Sequence, residues 1–535
     1  MRKVLAVTMA VLFSLTLTLL LLEGGVRLFR MARPAENPGW FFKVPDPITG
    51  WGHLANSQGR WFNDLYEFDT YISYNSREVR GPESLTYEKP GDVYRVMVLG
   101  DSFVEALQVD LEATFFQRLG DTLAQAGVGQ ERRVEVIGVG AGGWGTDQAL
   151  LWFENEGLKY QPDAVILAVF PGNDFMDNSE KLGVENRGGI LKPYFSLTNG
   201  ELTPNYFPFD PDSLPQVSAP DADTPDAGDA DPQVEPAPAL LAAGTWLHDH
   251  SALYRYLDPR IRLATPGFAR SLAQAGLITP GAESSSQVQD PGYIPTAYGV
   301  FAQPLDPAWT AATEITTALM ARMKAEAEAN GATFGAVIIT AQEQIYDHQW
   351  TQILERFPAM LGRTWDPLQA NVLAAEALAN AGVPTLNLLP LFQEHADAGA
   401  KLHFPQDGHW TEFGHDLAAT ALFNFVVENN LVPVTSSQTI PLPSPLTERS
   451  LWDWFVLFIV ALLVISLVWS IIKNGPVRWG RDVGSRLGTA GELVFYMAQE
   501  RQFLLLPLVV VLLLFGGLLI VAQASVVGPF IYTLF

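Results

Sequence analysis

The chain contains no cysteine. This absence excludes disulfide bonds, thiolate nucleophiles and cysteine-ligated metal sites, but it leaves the cellular compartment open. Positive charge is also scarce, because 33 Lys and Arg residues stand against 58 Asp and Glu residues, a formal net charge of −25. Nucleic acid phosphates would be repelled by such a chain, so we expect no nucleic acid partner.

One internal segment lacks basic residues altogether. No Lys or Arg occurs between Lys192 and Arg255, and residues 210–238 are rich in Pro, Ala and Asp. A segment of this composition buries too little apolar surface to offset the entropy that ordering costs. We therefore predict an insertion over residues 206–308, with a disordered acidic part followed by an amphipathic helix over residues 240–257.

Charged residues are also missing from three long apolar runs, which are candidate membrane spans. Each run is long enough to cross a bilayer: residues 4–22, 454–472 and 503–522. Residues 1–30 are interpreted as an uncleaved anchor rather than a signal peptide, because no clear small-residue cleavage site follows Leu22. The other two runs predict a transmembrane hairpin over residues 451–535.

The basic residues near these runs give conflicting signals about orientation. Five Lys and Arg residues lie between the two C-terminal runs, and the positive-inside rule places that loop in the cytoplasm. Arg27, Arg30 and Arg33 follow the first run and argue the other way, although Arg2 and Lys3 partly offset them. Giving more weight to the C-terminal loop, we predict a protein of the inner or cytoplasmic membrane whose large central region is extracytoplasmic.

Strand-like and helical patterns alternate between the anchor and the hairpin. Five short runs are strand-like, and most of them are continuous apolar segments, as in parallel strands covered on both faces: residues 94–99, 134–139, 164–170, 334–340 and 385–389. Helical patterns such as residues 313–329 and 367–381 lie between them. This alternation predicts an α/β fold, a three-layer α/β/α sandwich around a parallel sheet.

The same patterns divide the chain into segments. Residues 31–92 are rich in aromatics, Gly and Pro without a sustained period, and we expect this extension to wrap the domain that follows. The sandwich is expected in two parts, residues 93–205 and 309–430, on either side of the insertion. A linker over residues 431–450 leads to the hairpin.

Three polar segments follow predicted strand ends, where open parallel sheets bind their ligands. Ser102 lies in a Gly-Asp-Ser-Phe segment between a strand and a helix, where unpaired N–H groups favour negative charge. Gly143 lies in a glycine-rich loop after the second strand, and Asn173 follows the third. Taken singly, each segment is equally consistent with an ordinary capped turn or tight loop.

A histidine follows a carboxylate by two residues late in the predicted domain. Asp407 and His409 precede a helical pattern, and a carboxylate there can fix the tautomer of the imidazole. His415 has the wrong spacing to form a helical metal site with His409, and we predict neither a metal nor a cofactor. Glu105 and Asp174 are close in sequence to these candidate residues, but we expect their side chains to be solvated or to belong to turns.

In this order and spacing, the polar segments resemble the blocks of the SGNH (GDSL-like) hydrolase family over roughly residues 93–430. The resemblance implies a catalytic triad of Ser102 as the nucleophile with His409 and Asp407 as the acid–base pair. It also implies an oxyanion hole whose donors are the backbone N–H groups of Ser102 and Gly143 and the side-chain amide of Asn173.

Two positions depart from the usual pattern of that family. The carboxylate and the histidine stand as Asp-x-His rather than Asp-x-x-His, and Gly138 occupies a position that is often Asn. The first departure is similar to the branch of alginate O-acetylation enzymes, which carry an Asp-x-His-Trp motif. The resemblance therefore implies acyl groups, above all acetyl, on cell-surface or exported polysaccharide.

The function predicted from these features is a membrane-anchored serine esterase or O-acyltransferase that forms an acyl-serine intermediate on an acylated glycan or another ester. Nothing in the residues chooses between water and a sugar hydroxyl as acceptor, and transfer would imply a membrane acyltransferase as partner. The alternative is a non-catalytic scaffold or glycan-binding component of a polysaccharide export complex. Residues 503–535 resemble a small bacterial membrane domain of unknown function, often associated with exported-polysaccharide genes, and a plain anchor explains them equally well.

Overall fold

The computed structural model describes residues 16, 18–35, 42–128, 132–213, 238–274, 278, 292–435 and 439–444. The predicted spans at 454–472 and 503–522, most of the span at 4–22, and the acidic residues 214–237 lie outside these ranges. Within them, no helix combines the length and apolar character that a bilayer crossing requires. The three spans therefore stay a prediction.

The regular elements are numbered here in chain order. The strands are β1 (Lys43–Asp46), β2 (Gly50–His53), β3 (Gln58–Phe62), β4 (Asp69–Ser73), β5 (Val93–Gly100), β6 (Arg133–Gly140), β7 (Ala164–Val169), β8 (Tyr194–Thr198), β9 (Glu201–Asn205), β10 (Ala302–Gln303), β11 (Thr333–Ile338), β12 (Thr364–Trp365) and β13 (Thr385–Asn387). The helices are α1 (residues 18–28), α2 (Ser102–Glu105), α3 (Phe115–Ala126), α4 (Thr146–Asn155), α5 (Asp174–Asn178), α6 (Glu180–Arg187), α7 (Pro238–His250), α8 (Ala252–Ala264), α9 (Pro266–Gln274), α10 (Pro307–Ala329), α11 (Gln342–Ile345), α12 (Asp347–Arg356), α13 (Gln369–Asn380), α14 (Leu389–Asp397) and α15 (Glu412–Glu428).

A five-stranded sheet in the order β13-β11-β7-β5-β6 forms the centre of the larger unit, residues 36–235 and 280–447. All neighbouring strands are parallel. Every residue of β5 and of β7 is buried, which explains why β7 is an unbroken apolar run in the sequence and why β5 is apolar except for Arg95. The predicted α/β fold with a parallel sheet is confirmed.

Helices cover both faces of this sheet. Met97 and Leu99 of β5 share a core cluster with side chains of α4, α10 and α13, whereas Val96 and Val98 share another with α3, α14 and α15. Successive residues of a strand point to opposite faces, so the two clusters lie on opposite sides of the sheet. The resulting layers are helix, sheet and helix.

Gly138 of β6 explains one departure from the family pattern. A Cβ atom built at this position would lie 2.6 Å from two ring atoms of Phe116, a buried residue of α3. An Asn side chain therefore has no room at Gly138 unless the Phe116 ring moves. The glycine is a consequence of helix–sheet packing in this chain.

The extension at residues 31–92 contains two antiparallel hairpins, β1–β2 and β3–β4, which the sequence patterns did not predict. It is attached to the segment that follows α2: Thr70 Oγ1 donates to the Leu107 carbonyl at 2.5 Å, and Arg80 donates to the Ala106 and Val109 carbonyls at 2.6 Å each. The extension thus contacts the chain just beyond Ser102.

The smaller unit comprises residues 1–35, 236–279 and 448–535. The single helix expected over residues 240–257 is instead two helices, α7 and α8, separated at Ser251. The Ser251 hydroxyl caps α8 by accepting the Tyr254 N–H at 3.1 Å, which is typical of a helix start and not of a helix interior.

Candidate active site

Ser102 is the first residue of α2, directly after β5. Asp101 caps this helix, because its Oδ1 accepts the Phe103 N–H at 2.9 Å. The N–H of the first helical residue has no partner within a helix, so the Ser102 N–H is available to a ligand. Asp101 thus braces the turn that carries Ser102.

His409 and Asp407 lie beside Ser102 although they are some 300 residues away in sequence. The Ser102 Oγ is 2.7 Å from His409 Nε2, and His409 Nδ1 is 2.7 Å from Asp407 Oδ1. A carboxylate only accepts hydrogen bonds, so Nδ1 carries the proton and Nε2 is free to accept the serine proton. The structure thus brings together a serine, a histidine and an aspartate in a continuous hydrogen-bonded chain.

The electrostatics of this chain favour an imidazolium at His409. Burial alone would lower the pKa of His409, but the hydrogen bond and the charge of Asp407 outweigh it and hold that pKa above its ordinary value. Burial would likewise raise the pKa of Asp407, but His409 keeps it below its usual range. Asp407 is therefore a carboxylate at neutral pH.

The loop that carries Asp407 is held by a residue of the extension. Glu67 accepts the Gln406 N–H with Oε1 and the Asp407 N–H with Oε2, both at 3.0 Å. The loop also closes on itself, because the Phe404 N–H donates to the His409 carbonyl at 2.8 Å. Sequence reasoning missed Glu67, since no local pattern joins it to a loop 340 residues later.

Gly143 lies in the loop after β6, and β6 pairs directly with β5. Its φ is +78°, a conformation that favours glycine, and its carbonyl accepts Arg187 Nη2 at 2.8 Å. No acceptor for the Gly143 N–H lies among the residues that the structure describes. The loop begins against the nucleophile turn, because a Cβ at Gly140 would lie 2.3 Å from the Asp101 carbonyl oxygen.

Asn173 lies at the end of β7, the other neighbour of β5, and is the N-cap residue of α5. Burial raises the pKa of Asp177, and Arg187 and a hydrogen bond from the Asn173 side chain offset that rise only in part. The Asn173 Oδ1 is buried and, within the described ranges, has no hydrogen-bond partner. Ser102, Gly143 and Asn173 thus follow three adjacent strands at the carboxyl edge of the sheet.

Ionic pairs underlie the glycine-rich loop. Lys192 and Asp147 form a fully buried ion pair, and Arg187 donates to Asp177 Oδ1 at 2.6 Å. Burial raises the pKa of Asp147 and lowers the pKa of Lys192, because neither charged form is solvated.

Asp174 was expected to be solvated or in a turn, but it is buried and burial raises its pKa.

We expect Lys192→Ala to lower the free energy of unfolding by about 3–5 kcal/mol, because Asp147 would remain as a buried, unpaired charge. The matched control is Lys159→Ala, which removes an exposed pair with Glu156 and should cost at most about 1 kcal/mol. Chemical denaturation followed by tryptophan fluorescence measures both. Equal losses in the two variants would contradict the structural role of the buried pair.

Glu105 also departs from the expectation of a solvated side chain. It is buried, its Oε1 lies 3.0 Å from His53 Nε2, and its Oε2 accepts the Gly142 N–H at 2.6 Å. Burial alone would raise the pKa of Glu105, but Lys43, His53 and the Gly142 N–H lower it to about 2. No local sequence pattern predicts this contact, which depends on how the extension folds.

His415 packs inside the domain, where its Nδ1 accepts the Phe115 N–H at 3.2 Å. Burial lowers its pKa well below the usual value, so it is neutral. Across the described ranges, no group of three or more His, Asp or Glu side chains is arranged to hold a metal ion.

Comparisons with known proteins bear on two parts of the chain. Residues 305–442 match a family model described as an SGNH hydrolase-like domain, acetyltransferase AlgX, and this range includes Asp407 and His409. Residues 487–535 match a family of unknown function, DUF5989. Ser102, Gly143 and Asn173 lie outside both ranges.

Comparisons of the whole chain with curated proteins and with solved structures give weaker results. No curated protein matches the sequence. Among solved structures, an acetyl xylan esterase, AlAXEase, is similar with a TM-score of 0.29 and 11% identity, covering 62% of this chain and 99% of that one. A likeness of that degree is too weak to support a conclusion about function.

The match over residues 305–442 lies on an α/β domain with a parallel sheet, and a serine, a histidine and an aspartate are hydrogen-bonded at its edge. These findings support an ester-acting enzyme, a hydrolase or an acetyltransferase, which is similar to an SGNH hydrolase-like domain over residues 305–442.

Proposed function

We propose that Ser102, His409 and Asp407 form the catalytic triad, and that the enzyme removes or transfers acetyl groups on a polysaccharide. The observation that carries the proposal is the 2.7 Å contact between Ser102 Oγ and His409 Nε2, with Asp407 behind the imidazole. The match to an acetyltransferase domain supports acetyl as the acyl group. We propose cell-surface or exported glycans as the substrate class.

The reaction follows from the roles of these atoms. His409 Nε2 takes the hydroxyl proton as Ser102 Oγ attacks the ester carbonyl carbon, and the carbonyl electrons move onto oxygen. The N–H groups of Ser102 and Gly143 and the Asn173 amide stabilise that oxyanion, each donor contributing about 3 kcal/mol. The tetrahedral intermediate collapses to acyl-Ser102, and His409 returns the proton to the leaving alkoxide.

The second half-reaction decides between the two activities. His409 deprotonates either water or a sugar hydroxyl, and the new oxygen attacks the acyl-Ser102 carbonyl and displaces the serine. The full-length protein, incubated with an aryl acetate with and without oligosaccharide, separates the outcomes. Acetylated sugar identifies a transferase, acetate alone identifies an esterase, and neither product contradicts the proposal.

The pH dependence of kcat/KM should reveal His409. The imidazole acts as a base only when neutral, and Asp407 holds its pKa above the ordinary value of 6.5. We therefore expect kcat/KM for an aryl acetate to rise with pH through an apparent pKa above 6.5 and then to level off. An acidic limb centred well below 6.5 would contradict the proposed base.

We further propose that the enzyme is tethered to the inner or cytoplasmic membrane with the catalytic domain outside the cytoplasm. Support comes from Glu23, which directly follows the predicted span at residues 4–22. Its carboxylate accepts the N–H groups of Ala252 and Leu253 at 2.9 and 2.8 Å and is bonded to Arg27 at 2.6 Å. The end of the predicted anchor is thus attached to the start of α8. Protease protection of spheroplasts tests the orientation, because an extracytoplasmic domain is cut while the inner membrane is still intact.

A further inference from the structure

Glu105 connects three parts of the molecule that meet at the proposed site. It is the last residue of α2, three residues after Ser102, and only 4% of it is exposed. One carboxylate oxygen accepts the Gly142 N–H, and the other lies 3.0 Å from His53 Nε2 in the extension. Tyr74, also in the extension, donates to the same oxygen at 3.4 Å. None of these groups takes part in the reaction described above.

The peptide that contains the Gly143 N–H is fixed through its carbonyl. Lys43 Nζ and Trp51 Nε1 donate to the Gly142 carbonyl oxygen at 3.1 and 3.2 Å. In a trans peptide the C=O and the following N–H point in opposite directions. Holding the Gly142 oxygen therefore sets the direction of the Gly143 N–H.

Neighbouring peptides of the loop are fixed as well. Glu105 holds the N–H of Gly142, and Arg187 donates to the carbonyl of Gly143 at 2.8 Å. The carboxylate of Glu105 also attracts the charge of Lys43, the group that holds the Gly142 carbonyl. Loss of the Glu105 charge would thus loosen two of these four contacts at once, those made by Glu105 and by Lys43.

We propose that Glu105 is a positioning residue that clamps the glycine-rich loop, so that the Gly143 N–H is held ready for the oxyanion. The inference rests on the proposed function, in which the Gly143 N–H is a donor. Glu105 touches no reacting atom, and its effect is transmitted through Gly142 and Lys43. A preorganised donor stabilises the transition state more than the bound ester, because the charge develops only there.

Glu105→Gln tests the clamp with little change in shape. Deleting an oxyanion donor costs about 10²–10³-fold in kcat, so displacing one should lower kcat by about 10- to 100-fold while KM changes less than about threefold. The matched control is Glu78→Gln, because Glu78 is an exposed carboxylate near His53 that does not bond to the loop. That control should stay within about twofold of wild-type kcat.

A transition-state analogue separates positioning from a general loss of folded enzyme. An aryl boronic acid forms a tetrahedral adduct with the serine, so its Ki in Glu105→Gln should rise by the same factor by which kcat/KM falls. Titration with a fluorophosphonate should still count one reactive serine per folded molecule. A lower count with an unchanged boronate Ki would mean a structural defect only and would overturn the proposal.

Hydrogen exchange tests the clamp without relying on activity. In the full-length protein, amides of the peptide containing Gly142 and Gly143 should exchange faster in Glu105→Gln than in wild type or Glu78→Gln. If the wild type cleaves no ester, the proposed function fails, while faster exchange still supports the clamp. Unchanged exchange, or a kcat within twofold of an active wild type, overturns it.

Discussion

Replacing Ser102 with alanine is expected to lower kcat for an aryl acetate by about 10⁶-fold, the scale on which serine hydrolases lose their nucleophile. The substitution removes one oxygen atom that accepts no backbone N–H in the structure, so the fold should be unchanged. Initial rates measure the loss, and thermal denaturation of the same samples verifies the fold. A Ser102→Ala variant with more than about 1% of wild-type activity would contradict the nucleophile assignment.

Replacing Asp407 with asparagine is expected to lower kcat by about 10⁴-fold. Asparagine preserves the shape but cannot stabilise the imidazolium, and an amide N–H facing Nδ1 would favour the wrong tautomer of His409. The residual activity should also change its pH dependence. Asp407 raises the pKa of His409 whereas burial lowers it, so the acidic limb of kcat/KM should move to lower pH in Asp407→Asn.

Asp416→Asn provides the matched control for that variant. Asp416 lies in α15, nine residues beyond Asp407, and makes a partly exposed ion pair with Arg118 at 3.0 Å. It should retain wild-type kcat and the wild-type pH profile. If Asp407→Asn lies within tenfold of wild type, or if its acidic limb does not move, Asp407 is not the partner of His409.

The parallel sheet could be predicted because burial on both faces leaves a strong local pattern. Each residue of β5 and β7 is buried, so apolar residues run without interruption through β7 and are interrupted in β5 only by Arg95. The strands of the extension leave no such pattern. In β4, buried and exposed residues alternate over five positions, and the buried pair is Thr70 and Ile72, so a single apolar residue marks the inner face.

The residues proposed to react could be named from the sequence because each occupies a local motif in a recognisable order. Ser102 follows a strand and starts a helix, and His409 stands two residues from Asp407. Glu67 and His53 could not be named, and the buried position of Glu105 could not be predicted. Their contacts join segments 52 to 340 residues apart and arise only when the extension folds against the sheet.

The central claim is that His409 activates the Ser102 hydroxyl, and covalent labelling tests it most directly. Full-length wild type, Ser102→Ala and Asp407→Asn are incubated with a fluorophosphonate and analysed by intact-mass spectrometry and peptide mapping. The account predicts one adduct per wild-type molecule, located on Ser102, none in Ser102→Ala, and much slower labelling in Asp407→Asn. Wild-type labelling no greater than that of Ser102→Ala, or an adduct on another residue, would contradict it.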